Sequence, residues 1–250
     1  MRVAIISDIH GNLVALEAAL ADIAGQAVDQ TVCLGDVALA GPQPHEVSQR
    51  LRAVACPVVM GNCDAWMLDP PPPDETKEGD AARLDAIEYW SATRLTEEDK
   101  TFFRSFQPTI TVPLGEGKTL LCFHGTPRSY DEIIKATTPD SQLDEVFAGV
   151  EADVLVGGHT HAQLFRRWRT SLLLNPGSVG LPFDGVPPDS GPFPGLRNPA
   201  WVEYLVLTCD GRGLSVDLRR VLYALDELRR TILASGMPHA EWFASDWVAG

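Results

Sequence analysis

Apolar residues in this chain come in short runs that stop at polar clusters, and the runs alternate with stretches of helical period. Arg2–Ser7 is β-branched and apolar and predicts a buried strand. Over Asn12–Ala24, Leu13, Leu16, Leu20 and Ile23 share one face, which predicts a helix that Gly25 ends. Gln30–Leu34 predicts a second strand, His45–Val54 a helix and Pro57–Met60 a third strand. The order β-α-β-α-β points to a parallel sheet with covering helices.

The pattern then breaks at four consecutive prolines, Pro70–Pro73, an exposed rigid stretch. Gly79–Thr93 predicts a helix, and Thr96 followed by Glu97, Glu98 and Asp99 a helix start that runs on to Phe106. The segment at about 70–106 is thus a helical, cap-like excursion. Strands dominate afterwards. Thr109–Leu114 and Thr119–Phe123 form one predicted hairpin, Leu164–Trp168 and Ser171–Asn175 another, with Asp140–Phe147 helical and Val154–Val156 a short strand. Pro182–Pro199 is Pro/Gly-rich and reads as a long surface loop. Trp201–Thr208 and Leu214–Val221 are strands joined at Asp210-Gly211, and Asp226–Ala234 and Ala240–Val248 are helical. Neither an internal repeat nor a linker interrupts residues 1–250, so one domain is expected.

Composition narrows the class. With 45% hydrophobic and 22% charged residues the chain is an ordinary globular one. No apolar run approaches the ~20 residues of a membrane span, and the N-terminus reads as a strand rather than a leader, so a cytoplasmic protein without a membrane partner is expected. The formal net charge of −14 repels long nucleic acids but leaves small phosphorylated substrates open, because bound divalent ions reverse the local field. The five cysteines include no C-x-x-C pair and imply no disulfide framework.

The chemistry collects where strands stop. Strand one ends in Ser7-Asp8-Ile9-His10-Gly11-Asn12, strand two in Gly35-Asp36 and strand three in Gly61-Asn62-Cys63-Asp64; Phe123 is followed by His124-Gly125 and Val156 by Gly157-Gly158-His159-Thr160-His161. Ligands of open α/β sheets bind beyond such ends. Asp and His together suit Mn, Fe, Ni or Zn better than Mg or Ca. Asp8 and His10, like His159 and His161, are spaced to share a side of an extended segment. Asp36 can offer two oxygens and Asn62 a neutral carbonyl. Gly11, Gly35, Gly61, Gly125 and Gly158 suggest tight turns with unusual dihedrals. Four of six histidines lie in these loops; His45 and His239 read as surface residues.

D-x-H, G-D, G-N, H-G and G-H-x-H, in this order, resemble the calcineurin-like metallophosphoesterase superfamily, and Asn175-Pro-Gly-Ser-Val-Gly180 extends the match. Gly35-Asp36 continuing to Gly41-Pro42 and Pro44 is similar to its prokaryotic phosphodiesterase branch. The resemblance implies an α/β fold of two mixed β-sheets packed face to face and flanked by helices. It implies two divalent transition metal ions, one on Asp8, His10, Asp36 and His161, the other on Asp36, Asn62, His124 and His159. Hydrolysis would proceed by in-line attack of a metal-bridging hydroxide on phosphorus.

Many superfamily members carry His after the Asn, where it helps protonate the leaving group; here Cys63 stands in that place, either as a weaker acid or as filling. Arg128 could reach a substrate phosphate or be a surface arginine, and Asn12 could bind phosphate or cap its helix. The expected activity is hydrolysis of small phosphodiesters. A phosphomonoesterase, protein phosphatase or dinucleoside polyphosphate hydrolase is the alternative, although Gly35-Asp36 continues as Val-Ala-Leu-Ala-Gly rather than the G-D-x-x-D-R-G of bacterial protein phosphatases. A non-catalytic scaffold would show eroded ligands, and all seven are present.

Overall fold

A computed structural model describes residues 1–185 and 196–250. Strand β1 (Arg2–Ile6) is apolar at consecutive positions because both its faces are buried. Val3 and Ile5 point into one apolar cluster, Ala4 and Ile6 into another. It pairs in parallel with β2 (Gln30–Cys33), and helix α1 (Leu13–Ala24) connects the two. Helix α2 (Pro44–Val54) follows, then α3 (Asn62–Leu68), α4 (Gly79–Thr93) and α5 (Glu97–Phe103). Strands β3 (Ile110–Gly115) and β4 (Lys118–Cys122) make a hairpin, followed by α6 (Asp140–Val146), β5 (Val154–Val156), β6 (Leu164–Trp168) and β7 (Ser171–Asn175). The chain ends with β8 (Asn198–Pro199), β9 (Trp201–Asp210), β10 (Gly213–Leu222), α7 (Leu225–Ala234), α8 (Ala240–Ser245) and β11 (Trp247–Val248).

Two mixed sheets result, ordered β10-β9-β1-β2 and β3-β4-β5-β7-β6. The expected parallel sheet is therefore mixed, since β9 returns antiparallel beside β1. The sheets face each other through Val3, Ile5, Val32 and Leu34 on one side and Val112, Leu120, Val154 and Val156 on the other. Helices α1 and α2 cover the first sheet, while Phe123, Leu143, Phe147 and Trp168 form the apolar layer outside the second. Among the described residues no helix is long and apolar enough to cross a membrane.

Three local expectations change. Pro57–Met60 makes only isolated bridges, Cys33 to Val58 and Val59 to Gln107. Pro57 has no N–H to donate, and the chain turns at Gly61 into α3, a helix the apolar pattern did not announce. The helix begun at Thr96, whose side chain and Asp99 cap each other's backbone, stops at Phe103. The last helix stops at Ser245, because Trp247 turns into the core and Trp247–Val248 pairs with β8. The core joining α4 to α7 and α8 is Ile87, Leu228, Ile232, Phe243 and Trp247. Residues 186–195 of the predicted Pro182–Pro199 loop lie outside the described residues; at its base the Asp184 and Arg197 backbones hydrogen-bond.

Candidate metal centre

The loops after β1, β2, β4 and β5 meet at one end of the sandwich, and backbone bonds tie the first two together. Asp8 N donates to Gly35 O (3.0 Å), His10 N to Asp36 O (3.0 Å) and Gly11 N to Val37 O (2.9 Å). Sharp turns follow, and the chemical residues themselves carry them. Asp8, His10, Asp36, His159 and His161 all have positive φ, from 47° to 68°. Such φ values cost free energy in non-glycine residues and persist where surroundings over-determine them. The flanking glycines divide accordingly: Gly35 has a positive φ, whereas Gly61 and Gly158 do not. Those two matter because a Cβ on Gly61 would meet Asp36 Oδ1 at 2.1 Å, and one on Gly158 would meet Ser7 Oγ at 2.1 Å.

Two groups of side chains result. Asp8, His10 and His161 form one, and Asp36, His124 and His159 the other, with ligand atoms within 4.8 Å of one another in each. Asp36 faces both, its Oδ2 lying 3.3 Å from His124 Nε2 and 3.9 Å from His10 Nε2. Asn62 Oδ1 lies 3.0 Å from His124 Nε2.

The hydrogen bonds fix what these groups can do. Nδ1 of His10, His124 and His161 lies 3.0, 2.8 and 2.7 Å from the carbonyls of Leu39, Leu34 and Leu181. A carbonyl only accepts, so each Nδ1 carries a proton, and each ring, when neutral, turns an Nε2 lone pair into the cleft. Two such lone pairs, on His10 and His161, stand 3.1 Å apart. Asp8 Oδ1 is buried beside them without a hydrogen-bond donor. Electron-rich atoms gathered this closely need a proton or a cation between them. Bonds of ~2.0–2.2 Å meeting at right to tetrahedral angles separate ligand atoms by ~3.0–3.5 Å, so the set fits a transition metal ion.

Charge coupling agrees. Burial pushes the Asp8 and Asp36 carboxyls up, but the neighbouring histidines outweigh it and hold both below the usual carboxylate range. His124 is pulled down by burial and raised more strongly by Asp36 and Asp8, to about 10. Burial and His161 bring His10 down to about 4. The leading charges felt by the six clustered residues come from one another; no lysine or arginine is among them.

The remaining predicted residues fall elsewhere. Asn12 caps α1: its Oδ1 accepts from Ala15 N (3.0 Å) and its Nδ2 donates to Gly180 O (3.0 Å), which occupies it structurally. Arg128 does not extend as a free fork, because its guanidinium grips Glu132 (Nη2 to Oε1, 2.8 Å) and the Glu145 carbonyl (3.2 Å). Cys63 sits beside the site, its N–H donating to Asp36 Oδ1 (2.9 Å), and burial followed by the charge of Asp36 pushes its thiol up. His45, read as a surface residue, bonds Asp99 at 2.7 Å and joins α2 to α5.

Sequence reasoning missed Asp64. Fully buried, it accepts from the backbone N–H groups of Asp36 (2.8 Å), Val37 (2.8 Å) and Gly61 (3.0 Å). Its place three residues after the Gly61 cap is a helix-start signal that could have found it. Ser178 Oγ and Gly180 N similarly hold the Asp8 carbonyl, at 2.8 and 2.9 Å, which gives the Asn175–Gly180 segment its role.

Comparison with known proteins places this geometry. The family model for the calcineurin-like phosphoesterase superfamily domain matches residues 1–191. A protein of Methanocaldococcus jannaschii is 30% identical over 96% of this chain and 94% of its own. Among solved structures, a metallophosphoesterase from Sphaerobacter thermophilus is 26% identical, with a TM-score of 0.71 over 98% of this chain and 97% of that one. A phosphoesterase from E. coli is 26% identical, with a TM-score of 0.50 over 90% of this chain and 100% of that one. Cation-seeking side chains at the strand ends and a family match through all of them lead to one assignment: the chain belongs to the calcineurin-like phosphoesterase superfamily and is a metal-dependent phosphoric ester hydrolase.

Proposed function

We propose that the centre holds two divalent transition metal ions, among Mn, Fe, Ni and Zn, and that the chain hydrolyses small phosphodiesters. Asp8, His10 and His161 would hold one ion, Asn62, His124 and His159 the other, and the Oδ2 of Asp36 would serve both. The ions, when bound, polarise the phosphoryl oxygens and lower the pKa of coordinated water to ~7. Asp36 itself must stay ionised and fixed. Its other oxygen is already taken by the Cys63 N–H, so Oδ2 alone is directed at the cleft. Leu34, Leu39 and Leu181 hold three imidazoles through their carbonyls, so no ring has to reorient. Asn62 and His159 are half-exposed whereas Asp8, His10, His124 and His161 are buried, which makes the Asn62–His159 side the route by which a phosphate arrives.

What supports the diester over the monoester is that, among the described residues, no lysine or arginine is a leading charge on the centre. Arg128 is committed to Glu132. A diester monoanion brings one charge, which the ions themselves satisfy. A monoester dianion or a polyphosphate would bring further charge, for which none of the leading charges on the centre is a cationic lysine or arginine among the described residues. The segment at 70–106 would act with α7 and α8 as a cap beside this entrance, in a cytoplasmic protein.

The test is hydrolysis of bis-p-nitrophenyl phosphate and p-nitrophenyl phosphate side by side, after chelation and add-back of Mn, Ni, Zn, Fe and Mg. Metal-dependent turnover favouring the diester is expected. Preference for the monoester would move the substrate class to phosphatase. Binding of two ions without turnover of either compound would favour a scaffold.

A further inference from the structure

The Asp64 carboxylate offers no ligand atom to either cluster, yet it organises one of them. We infer that Asp64 is a positioning residue that builds the half of the centre formed by Asp36, Asn62, His124 and His159, so that its loss weakens the metal ion of that half more than the ion held by Asp8, His10 and His161. This rests on the two-ion reading above.

Asp36 adopts a left-handed conformation (φ 53°), which a side chain with a Cβ takes only under constraint. That turn leaves the Asp36 and Val37 N–H groups pointing inward, where both would be unpaired. Asp64 accepts one on each oxygen, at 2.8 Å, and its Oδ2 also accepts from Gly61 N at 3.0 Å. Gly61 caps α3, so the same carboxylate sets the helix whose first residue is Asn62. Asp36 Oδ1 then receives the Cys63 N–H from that helix (2.9 Å), which turns Oδ2 towards the cleft. One buried side chain thus fixes the shared carboxylate and the Asn62 amide relative to each other.

The other half has its own supports. Asp8 is held at its carbonyl by Ser178 Oγ and Gly180 N, His10 by the Leu39 carbonyl and His161 by the Leu181 carbonyl. None of these bonds passes through Asp64. Replacing it should therefore separate two sites that otherwise fill together.

The experiment is metal titration of the chelated protein by calorimetry, with metal content after gel filtration, for the wild type, Asp64→Asn, Asp64→Ala and Asp99→Asn. Asp64→Asn keeps the volume but turns an amide N–H₂ towards a backbone donor. Asp99→Asn is the control for general destabilisation. Asp99 is another buried helix-start carboxylate, bonded to Thr96 and His45 and to none of the ligands. The wild type should take two ions. Both Asp64 variants should bind the ion of the Asn62, His124 and His159 half about 10–100-fold more weakly and the other ion with a clearly smaller loss, while Asp99→Asn retains both whatever its Tm. Equal weakening of both ions in proportion to lost Tm would reduce Asp64 to a structural role. Unchanged affinities for both ions would overturn the inference while leaving the two-ion reading intact. A wild type that takes only one ion would instead overturn the two-ion reading.

Discussion

The two halves of the metal centre are built from the same residue types and held very differently. Around Asp8 everything is sealed: Asp8, His10 and His161 are 0%, 6% and 9% exposed, and both imidazoles donate to backbone carbonyls. Around Asp36 only His124 has that carbonyl support. His159 and Asn62 are half-exposed, and the His159 ring has no hydrogen-bond partner among the described residues. On the two-ion proposal, the closed half would be the one preorganised to retain an ion. The open half would keep the freedom to exchange a ligand. Asp36, facing both, is where retention and reaction meet.

Breaking that junction should have the largest effect. Asp36→Asn removes the shared charge, leaves the turn and its backbone bonds in place, and should lower turnover of bis-p-nitrophenyl phosphate by at least ~10³-fold. Activity within tenfold of wild type, with metal content unchanged, would remove Asp36 from the centre. The next test separates the halves. His10→Ala should empty the closed half and weaken one ion by at least ~100-fold. His159→Ala should weaken the other ion less, by ~10-fold, and raise KM, because a half-exposed ligand is more easily replaced by water. Indistinguishable metal isotherms for the two variants would erase the distinction between halves.

The two halves also differ in how far the sequence could disclose them. The closed half is readable because Asp8-x-His10 and His159-x-His161 are local patterns at strand ends, and β1 and β5 announce themselves as apolar runs. The open half depends on α3, a seven-residue helix that starts on a glycine and opens with Asn62-Cys63, so neither propensity nor apolar period marks it. Asp64 acts on backbone groups 27 and 28 residues away, a contact that only the folded turn creates. The positive φ values escaped for a related reason. They belong to Asp and His held by bonds between separate loops, and local sequence points to the glycines instead. Arg128 looked available because its partner, Glu132, is four residues on and is ordinary surface chemistry.

Proton linkage offers a subtler probe of the open half. His124 is raised to about 10 in the metal-free protein, chiefly by Asp36 against the pull of burial. A raised histidine lends stability that is complete below the unfolded value of 6.5 and drains away as pH climbs towards about 10. Chelated protein should therefore lose several degrees of Tm between about pH 7 and about 8, below the ordinary thiol value of about 8.5. Metal-loaded protein should not, because a cation replaces that proton; metal binding should release protons and tighten over the same range. Parallel Tm curves for the two forms would mean that no proton occupies the ion's place.

The smallest effect concerns the residue beside the junction. Cys63 lies beside the open half, partly buried against the first apolar cluster, where its N–H is bonded to Asp36 Oδ1 and its Sγ lies 3.7 Å from Asn62 Nδ2. Burial and the Asp36 charge keep the thiol protonated, so it offers a leaving group a weak acid rather than an imidazolium. A p-nitrophenolate leaves without help, whereas an alkoxide does not. Cys63→His should therefore change turnover of bis-p-nitrophenyl phosphate little and raise that of an alkyl-leaving diester roughly tenfold, with an acid limb appearing in its pH profile. A gain on both esters alike would point to altered metal affinity rather than proton donation. A gain on neither would leave Cys63 as packing beside Asp36, with leaving-group protonation left to water entering from the exposed Asn62–His159 side.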